Sequence, residues 1–263
     1  MPLTVRFGRV ATAYQYNYER ILQHAAKRLG KTDDALFWRS SGDALSAAFL
    51  RKFYDPATNT FTGGTQCSYV LPLAFGLVPS DPDQRQAIIS NLVRDTMVTR
   101  DKHLTVGLIG NQWLLQVLTD CGRADVAWSL VTQTTRPSWG CMTSQGSDTI
   151  WERWDYDTRD PGMNSESLLI QAGNVDAWFY QTLAGINYDP QKPGFSHIII
   201  RPKILGDLKW VICSFNSPHG LIVSNWTRSG KKVTLCITIP GNTTATVTTP
   251  DGIVHEMGSG TGC

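Results

Sequence analysis

A chain of 263 residues is long enough to bury a full hydrophobic core, and its length suits one large domain with a smaller companion. Its 24 basic and 22 acidic residues leave a formal charge of +2 with no run of like charge. That excludes the electrostatic footprint of a nucleic-acid or anionic-membrane binder and points to a neutral partner. No apolar stretch approaches the roughly 20 residues needed to span a bilayer.

From Ala11 to Leu29 apolar residues recur at helical spacing (Tyr14, Tyr18, Ile21, Leu22, Ala25, Ala26, Leu29) and the run stops at Gly30, which predicts an amphipathic helix with a glycine C-terminus. A second helix is predicted from near Asp33, with Leu36, Leu45, Ala48, Phe49 and Phe53 on one face, ending before Asp55-Pro56 and Gly63-Gly64. Further helices are predicted over 66–77, 82–99, 107–121, 124–133 and 165–184, the third and last of these closed by Gly122 and Gly185. Consecutive amphipathic helices on short connections make antiparallel hairpins, and stacked hairpins form a bundle, a solenoid or a toroid; periodicity does not choose among these.

Around Asp189-Pro190 and Pro193-Gly194 the texture changes, which divides the chain into a helical domain, 1–188, and a β domain, 189–263. The run Ile198-Ile199-Ile200 opens the second part, and strands are predicted over 210–215, 220–228, 232–239 and 243–249, with turns at Ser217-Pro218, Ser229-Gly230, Pro240-Gly241 and Pro250-Asp251-Gly252. This spacing predicts a small antiparallel β-sandwich, with no final strand in the glycine-rich tail from Gly258.

The six cysteines are scattered without a C-x-x-C pair or a short metal spacing, so most are expected to be buried thiols and neither metal nor cofactor is indicated. Such thiols suit a reducing compartment, and the N-terminus lacks the apolar core of a signal peptide. As it stands the chain is expected to be cytoplasmic, with a periplasmic or extracellular location if residues precede Met1.

One long polar and aromatic segment, Ser138 to Asp155, carries more tryptophan and charge than a connection requires. Glu152 is flanked by Trp151, Arg153 and Trp154, an arrangement in which Arg153 would keep the carboxylate ionised and the indoles of Trp139, Trp151 and Trp154 would offer a face for a pyranose. The same residues also suit an Arg–Glu pair in a loop whose aromatics merely pack. His103, just before an apolar helix, suits either a donor to a sugar hydroxyl or a side chain that satisfies a backbone carbonyl.

The stretch Thr149-Ile150-Trp151-Glu152-Arg153-Trp154-Asp155 resembles the T-I-W-E-R-W signature of the bacterial α-L-rhamnosidases, family 78 of the glycoside hydrolases. Other segments follow in the same order: His103-Leu104-Thr105 with Gly107 and Gly110, Pro137-Ser138-Trp139-Gly140, Met163-Asn164-Ser165, Ala177-Trp178-Phe179-Tyr180 with Leu183-Ala184-Gly185-Ile186, and Pro193-Gly194-Phe195 through Arg201-Pro202. The resemblance spans nearly the whole chain. It implies a six-hairpin (α/α) toroid followed by a β-sandwich, and inverting hydrolysis of terminal α-L-rhamnosyl residues from carbohydrate rhamnosides.

Within that resemblance Glu152 maps onto the general base; beside it Arg153 and Asp155 could position the base, Trp139, Trp151 and Trp154 could line the sugar subsite, and His103 stays open between its two readings. Inverting enzymes need two carboxyl groups about 6.5–9.5 Å apart, and the family's general acid lies in an earlier half of the toroid that nothing upstream of Ala11 resembles. About seven helices are predicted where six hairpins call for two apiece. The expectation is therefore a fragment that lacks the acid, with exposed apolar faces covered by the missing half or by a second copy. A further departure follows Met163-Asn164-Ser165, where Glu166-Ser167-Leu168-Leu169 stands in place of the family's histidine, leaving Glu166 as a substitute polar contact. The alternative to an enzyme is a non-catalytic remnant that binds carbohydrate or folds against a partner. An unrelated α/α-toroid hydrolase or lyase with another sugar specificity is a third reading.

Overall fold

The computed structural model describes residues 3–154, 165 and 169–263, and among them eight α-helices precede most of eleven strands. Helix α1 (Leu3–Arg28) ends at Gly30, whose φ of 69° suits glycine, and Lys27 and Arg28 in its last turn complement the negative end of the helix dipole. Helix α2 (Thr32–Phe53) begins with Asp33 and Asp34, folds back along α1, and buries Phe49 and Phe53. A two-residue hairpin of β1 (Tyr54–Asp55) and β2 (Thr60–Phe61) turns through Asn59 and leads into α3 (Gln66–Phe75).

Helix α4 (Pro82–Arg94) starts at an Asp81 cap that accepts from Asp83 N at 2.8 Å and Gln84 N at 3.1 Å, with Pro82 in the first turn, where its missing N–H costs nothing. A π-helical turn, Asp95–Thr99, continues α4 to the end of the predicted helix. Then come α5 (Leu108–Asp120), α6 (Ala124–Val131), α7 (Trp139–Ser144) and α8 (Leu169–Trp178), the last extended by a second π turn, Phe179–Leu183.

Helices α1, α3, α5 and α8 touch in that order, while α2, α4 and α6 pack on α1, α3 and α5 as their hairpin partners. The shared core runs between them and includes Tyr69, Leu71, Leu92, Leu114, Leu118, Leu130 and Trp178. At the α1 end of the row, Tyr18, Ile21 and Leu22 of α1, Leu29 just beyond it, and Leu36 and Phe37 of α2 are 42–72% exposed, forming an apolar stripe. No helix among the described residues is long and apolar enough to cross a membrane.

The second part is a sandwich. One sheet has the order β10-β9-β4-β3, from β3 (Ile186–Tyr188), β4 (His197–Ile200), β9 (Thr244–Thr248) and β10 (Val254–Met257). The other has the order β11-β8-β7-β5, from β5 (Trp210–Val211), β7 (Gly220–Ser229), β8 (Lys232–Ile239) and β11 (Gly260–Gly262), with β6 (Ser214–Ser217) also paired to β7. Ile198, Ile200, Ala245 and Val247 of the first sheet face Ile222, Ile237 and Ile239 of the second.

Three details depart from the sequence reading. The sheet begins at Ile186, ahead of the expected change at residue 189; β4 and β9 run parallel; and the tail does form a strand, β11, on the edge of β8. Cys263 beyond β11 is joined to Cys236 of β8 by a disulfide, so two of the six cysteines are not thiols. Burial pushes the Cys121 and Cys213 thiols up from their ordinary value, as expected of side chains that fill space.

The two parts are joined where α8 and its π turn end. A helix leaves its last carbonyls without intrahelical donors. Here Lys203 N reaches Thr182 O at 2.8 Å, Trp226 Nε1 reaches Leu183 O at 2.8 Å, Ser224 Oγ reaches Ala184 O at 2.6 Å, and Arg201 N reaches Gly185 O at 2.9 Å. Gly185 itself has φ 76°, and a Cβ there would lie 2.2 Å from Pro202 N, so the close approach of the two parts requires glycine.

Candidate functional site

The site gathers at one end of α5. Residues 103–106 lead into that helix, with Leu104 and Val106 buried at 1% and 0% exposure. Gln66, the first residue of α3, is fully buried and reaches this segment twice: Nε2 donates to His103 O at 2.9 Å, and Oε1 accepts from Thr105 N at 2.8 Å. One residue on, Val106 O accepts from Trp154 Nε1 at 2.7 Å. Trp154 → Phe is therefore expected to leave the Val106 carbonyl without its donor and to cost about 1–3 kcal/mol in urea-induced unfolding.

Trp139 is set by a local device of its own. Ser138 caps α7, its hydroxyl accepting from Cys141 N at 2.9 Å, and Trp139 is the helix's first residue. The next residue must be glycine, because a Cβ at Gly140 would lie 2.4 Å from Gln133 O. So anchored, the Trp139 ring meets Trp154 edge to face, with centroids 5.3 Å apart and planes at 86°.

Glu152 extends from this scaffold with its side chain exposed. Its own N–H donates to Ser165 O at 2.8 Å, and its carboxylate Oε2 accepts from Ser165 N at 3.0 Å. This reciprocal pair ties the Glu152 loop to the segment leading into α8.

The indoles are placed otherwise than the sequence reading expects. Trp139 and Trp151 are 7% and 8% exposed, so their faces are spent on packing, and of the three only Trp154 is half-buried. A pyranose platform made of all three rings is thus not formed: two of the rings are buried, and Trp154 alone of the three is left partly open. The physical reason is that an indole gains most by burying its large area, as Trp139 does in the helical core.

His103 is corrected in the same sense. Its Nδ1 donates to Arg100 O at 2.9 Å and its Nε2 lies 2.8 Å from Thr135 Oγ1, so both ring nitrogens serve the fold. The π turn beneath it holds Asp95, whose carboxyl burial pushes up, against the opposing pull of Arg100 3.5 Å away. Arg153 is half-buried beside Glu152. Asp155 and Glu166 lie outside the described residues, as does Leu168.

Gln66 and Ser165 are the two members that sequence reasoning missed. Ser165 stands in the quoted Met-Asn-Ser motif, but its contribution is made by backbone atoms, which side-chain chemistry does not reveal. Gln66 signals itself only as a polar residue opening an apolar helix. Among the described residues no three His, Cys, Asp or Glu side chains come together as metal ligands would.

Comparison with known proteins identifies both parts of the fold. Residues 7–183 match the model of the bacterial alpha-L-rhamnosidase 6 hairpin glycosidase domain, and residues 185–262 that of the bacterial alpha-L-rhamnosidase C-terminal domain. An alpha-L-rhamnosidase of Streptomyces avermitilis is 36% identical over 95% of the chain, and one of Alteromonas sp. is 30% identical over 93%. The chain covers 24% and 26% of these two relatives, about a quarter of their length.

Among solved structures, the native alpha-L-rhamnosidase of Aspergillus terreus superposes with a TM-score of 0.88 at 28% identity, over 95% of this chain and 29% of that one. The Streptomyces avermitilis enzyme complexed with L-rhamnose superposes with a TM-score of 0.87 at 33% identity, over 95% of this chain and 26% of that one. With both parts of its fold matched along nearly their whole length, the chain belongs to the bacterial α-L-rhamnosidase family of six-hairpin glycosidases.

Proposed function

We propose that this chain is the base-carrying part of an inverting glycoside hydrolase that removes terminal α-L-rhamnosyl residues, with the general acid supplied by polypeptide outside it. One observation carries the reading: Glu152 is exposed, and its carboxylate is held by the backbone of Ser165 in the loop whose Trp154 meets Trp139 edge to face. A carboxylate fixed in this way can take a proton from water as that water attacks the anomeric carbon. The half-buried Trp154 is the ring offered to the sugar. Arg153 adds positive charge beside the base.

The apolar stripe on α1 and α2 is the seat proposed for the complementary hairpins. This fits the quarter of the relatives' length that the chain spans. A non-catalytic remnant is the second reading, favoured by one feature of the sequence: Glu166-Ser167-Leu168-Leu169 where the family carries histidine.

Hydrolysis of para-nitrophenyl α-L-rhamnoside tests these readings. The purified chain alone is expected to show at most trace turnover, because loss of the acid removes roughly 10²–10⁴ in rate. Joined to the complementary region of the Streptomyces avermitilis relative, to give a complemented enzyme, it is expected to turn over. Robust activity from the chain alone would overturn the assignment of the acid to another polypeptide. A folded complemented enzyme that L-rhamnose protects thermally but that does not turn over would favour the remnant.

A further inference from the structure

We propose that Gln66 is a positioning residue for the Glu152 loop, acting through residues 103–106 and Trp154 without touching substrate. Its kinetic part rests on the reading of Glu152 as a base; its spectroscopic part rests on the geometry alone.

The side chain is wholly buried, and its planar amide makes two bonds on either side of Leu104, donating to His103 O at 2.9 Å and accepting from Thr105 N at 2.8 Å. A neighbouring β-strand makes two such bonds to its partner, and Gln66 takes the place of one. The amide also lies 3.5 Å from Thr96 Oγ1, so the π turn after α4 and the N-terminus of α3 grip residues 103–106 together. With Leu104 and Val106 buried on the same stretch, the position of the Val106 carbonyl is determined.

That carbonyl is the acceptor for Trp154 Nε1 at 2.7 Å, and Trp154 lies two residues beyond Glu152 in the same loop. Gln66 therefore sets where Val106 O stands, Val106 O sets where the Trp154 ring stands, and the ring bears on Trp139 and on the entry of the base. A side chain that only filled space would not need to be polar. An apolar one of equal length would leave His103 O and Thr105 N unpaired in the interior. Glutamate in its ionised form would lose the donor and set its charge against the His103 carbonyl.

This chemistry gives a test that mere core filling would not pass. In Gln66→Glu a protonated carboxyl offers an O–H to His103 O and a C=O to Thr105 N, as the amide does. Burial among neutral groups favours that neutral form, so the variant should match the parent at low pH and lose the match as pH rises and the carboxyl ionises. Gln66→Met should be impaired at every pH. On the chain itself the readouts are the near-ultraviolet circular dichroism of tryptophan and iodide quenching of its fluorescence, with far-ultraviolet signal as the control for folding. In the complemented enzyme, kcat/KM for para-nitrophenyl rhamnoside should fall by about tenfold to a hundredfold in Gln66→Met, mostly in kcat, since a displacement of the order of an ångström has that effect. Gln66→Glu should gain a pH limb that the parent lacks.

Parent-like tryptophan spectra in folded Gln66→Met, or in Gln66→Glu across the pH range, overturn the proposal. So does an altered spectrum with unchanged kcat/KM. If the complemented parent enzyme itself fails to turn over, the reading of Glu152 is what has failed, and the spectra of the chain still decide whether Gln66 holds Trp154. If Gln66→Met does not fold, the pH series of Gln66→Glu decides.

Discussion

Replacing Glu152 by Gln in the complemented enzyme is expected to lower kcat by about 10²–10⁴-fold, the range associated with loss of a general base. The substitution is nearly isosteric, and an amide oxygen still accepts the bond that Ser165 N gives to Oε2 at 3.0 Å, so the loop keeps its tie to the segment before α8. What is lost is the capacity to take a proton. KM should therefore change little, because the interaction removed is made to the attacking water in the transition state and not to the bound sugar. Circular dichroism and thermal unfolding should match those of the parent, as expected for an exposed side chain. Turnover within a few-fold of the parent would show that some other group takes the proton.

The second large effect is on stability. Trp226 → Ala is expected to destabilise the chain by about 3–5 kcal/mol, the usual range for removing a buried tryptophan. Trp226 is 1% exposed, and although it belongs to a strand of the sandwich, its Nε1 caps Leu183 O at the end of the helical part. On β7 the residues Ile222, Ser224 and Trp226 alternate inward. The first fills the sandwich, whereas the other two reach the helix carbonyls of Ala184 and Leu183. The alanine variant thus opens a cavity and orphans a carbonyl at a place where the two parts share hydrogen bonds. Trp226 → Phe keeps most of the volume and should cost only the bond, about 1–3 kcal/mol. Urea-induced unfolding of both variants separates the two contributions, and equal costs would place the effect in the carbonyl alone.

Much of this architecture was legible because helical periodicity is a local signal. The predicted ends at Thr99 and Ala184 lie close to where the helical backbone stops, even though both final turns are π-helical, because apolar spacing does not register a change from i−4 to i−5 bonding. The β1–β2 hairpin was not legible: two residues per strand are too few to show alternation. Helix α7 was read as loop, although Ser138 was there as its cap signal, because six residues carry less than two turns of pattern. Strand β11 consists of Gly260, Thr261 and Gly262, residues with little strand preference as a group, and it forms because β8 offers a free edge and the disulfide holds its end.

For the site, the concentration of tryptophan around Glu152 was visible, but which rings would be exposed was not. Exposure is a tertiary property, and it reversed the role expected of Trp139 and Trp151. His103 likewise could be read either way until Arg100 O and Thr135 Oγ1 were placed beside its ring. Gln66 and Ser165 act on backbone atoms far along the chain, and no spacing rule connects them to Glu152.

The central claim is that Glu152 acts on a water molecule and not on the sugar itself. The anomer released first by the complemented enzyme, followed by proton NMR before mutarotation, tests this most directly. Attack by water that a carboxylate has activated inverts the anomeric centre, so the α-rhamnoside should release β-L-rhamnose. Release of α-L-rhamnose would mean that a carboxylate had attacked the sugar, and would contradict the role given to Glu152.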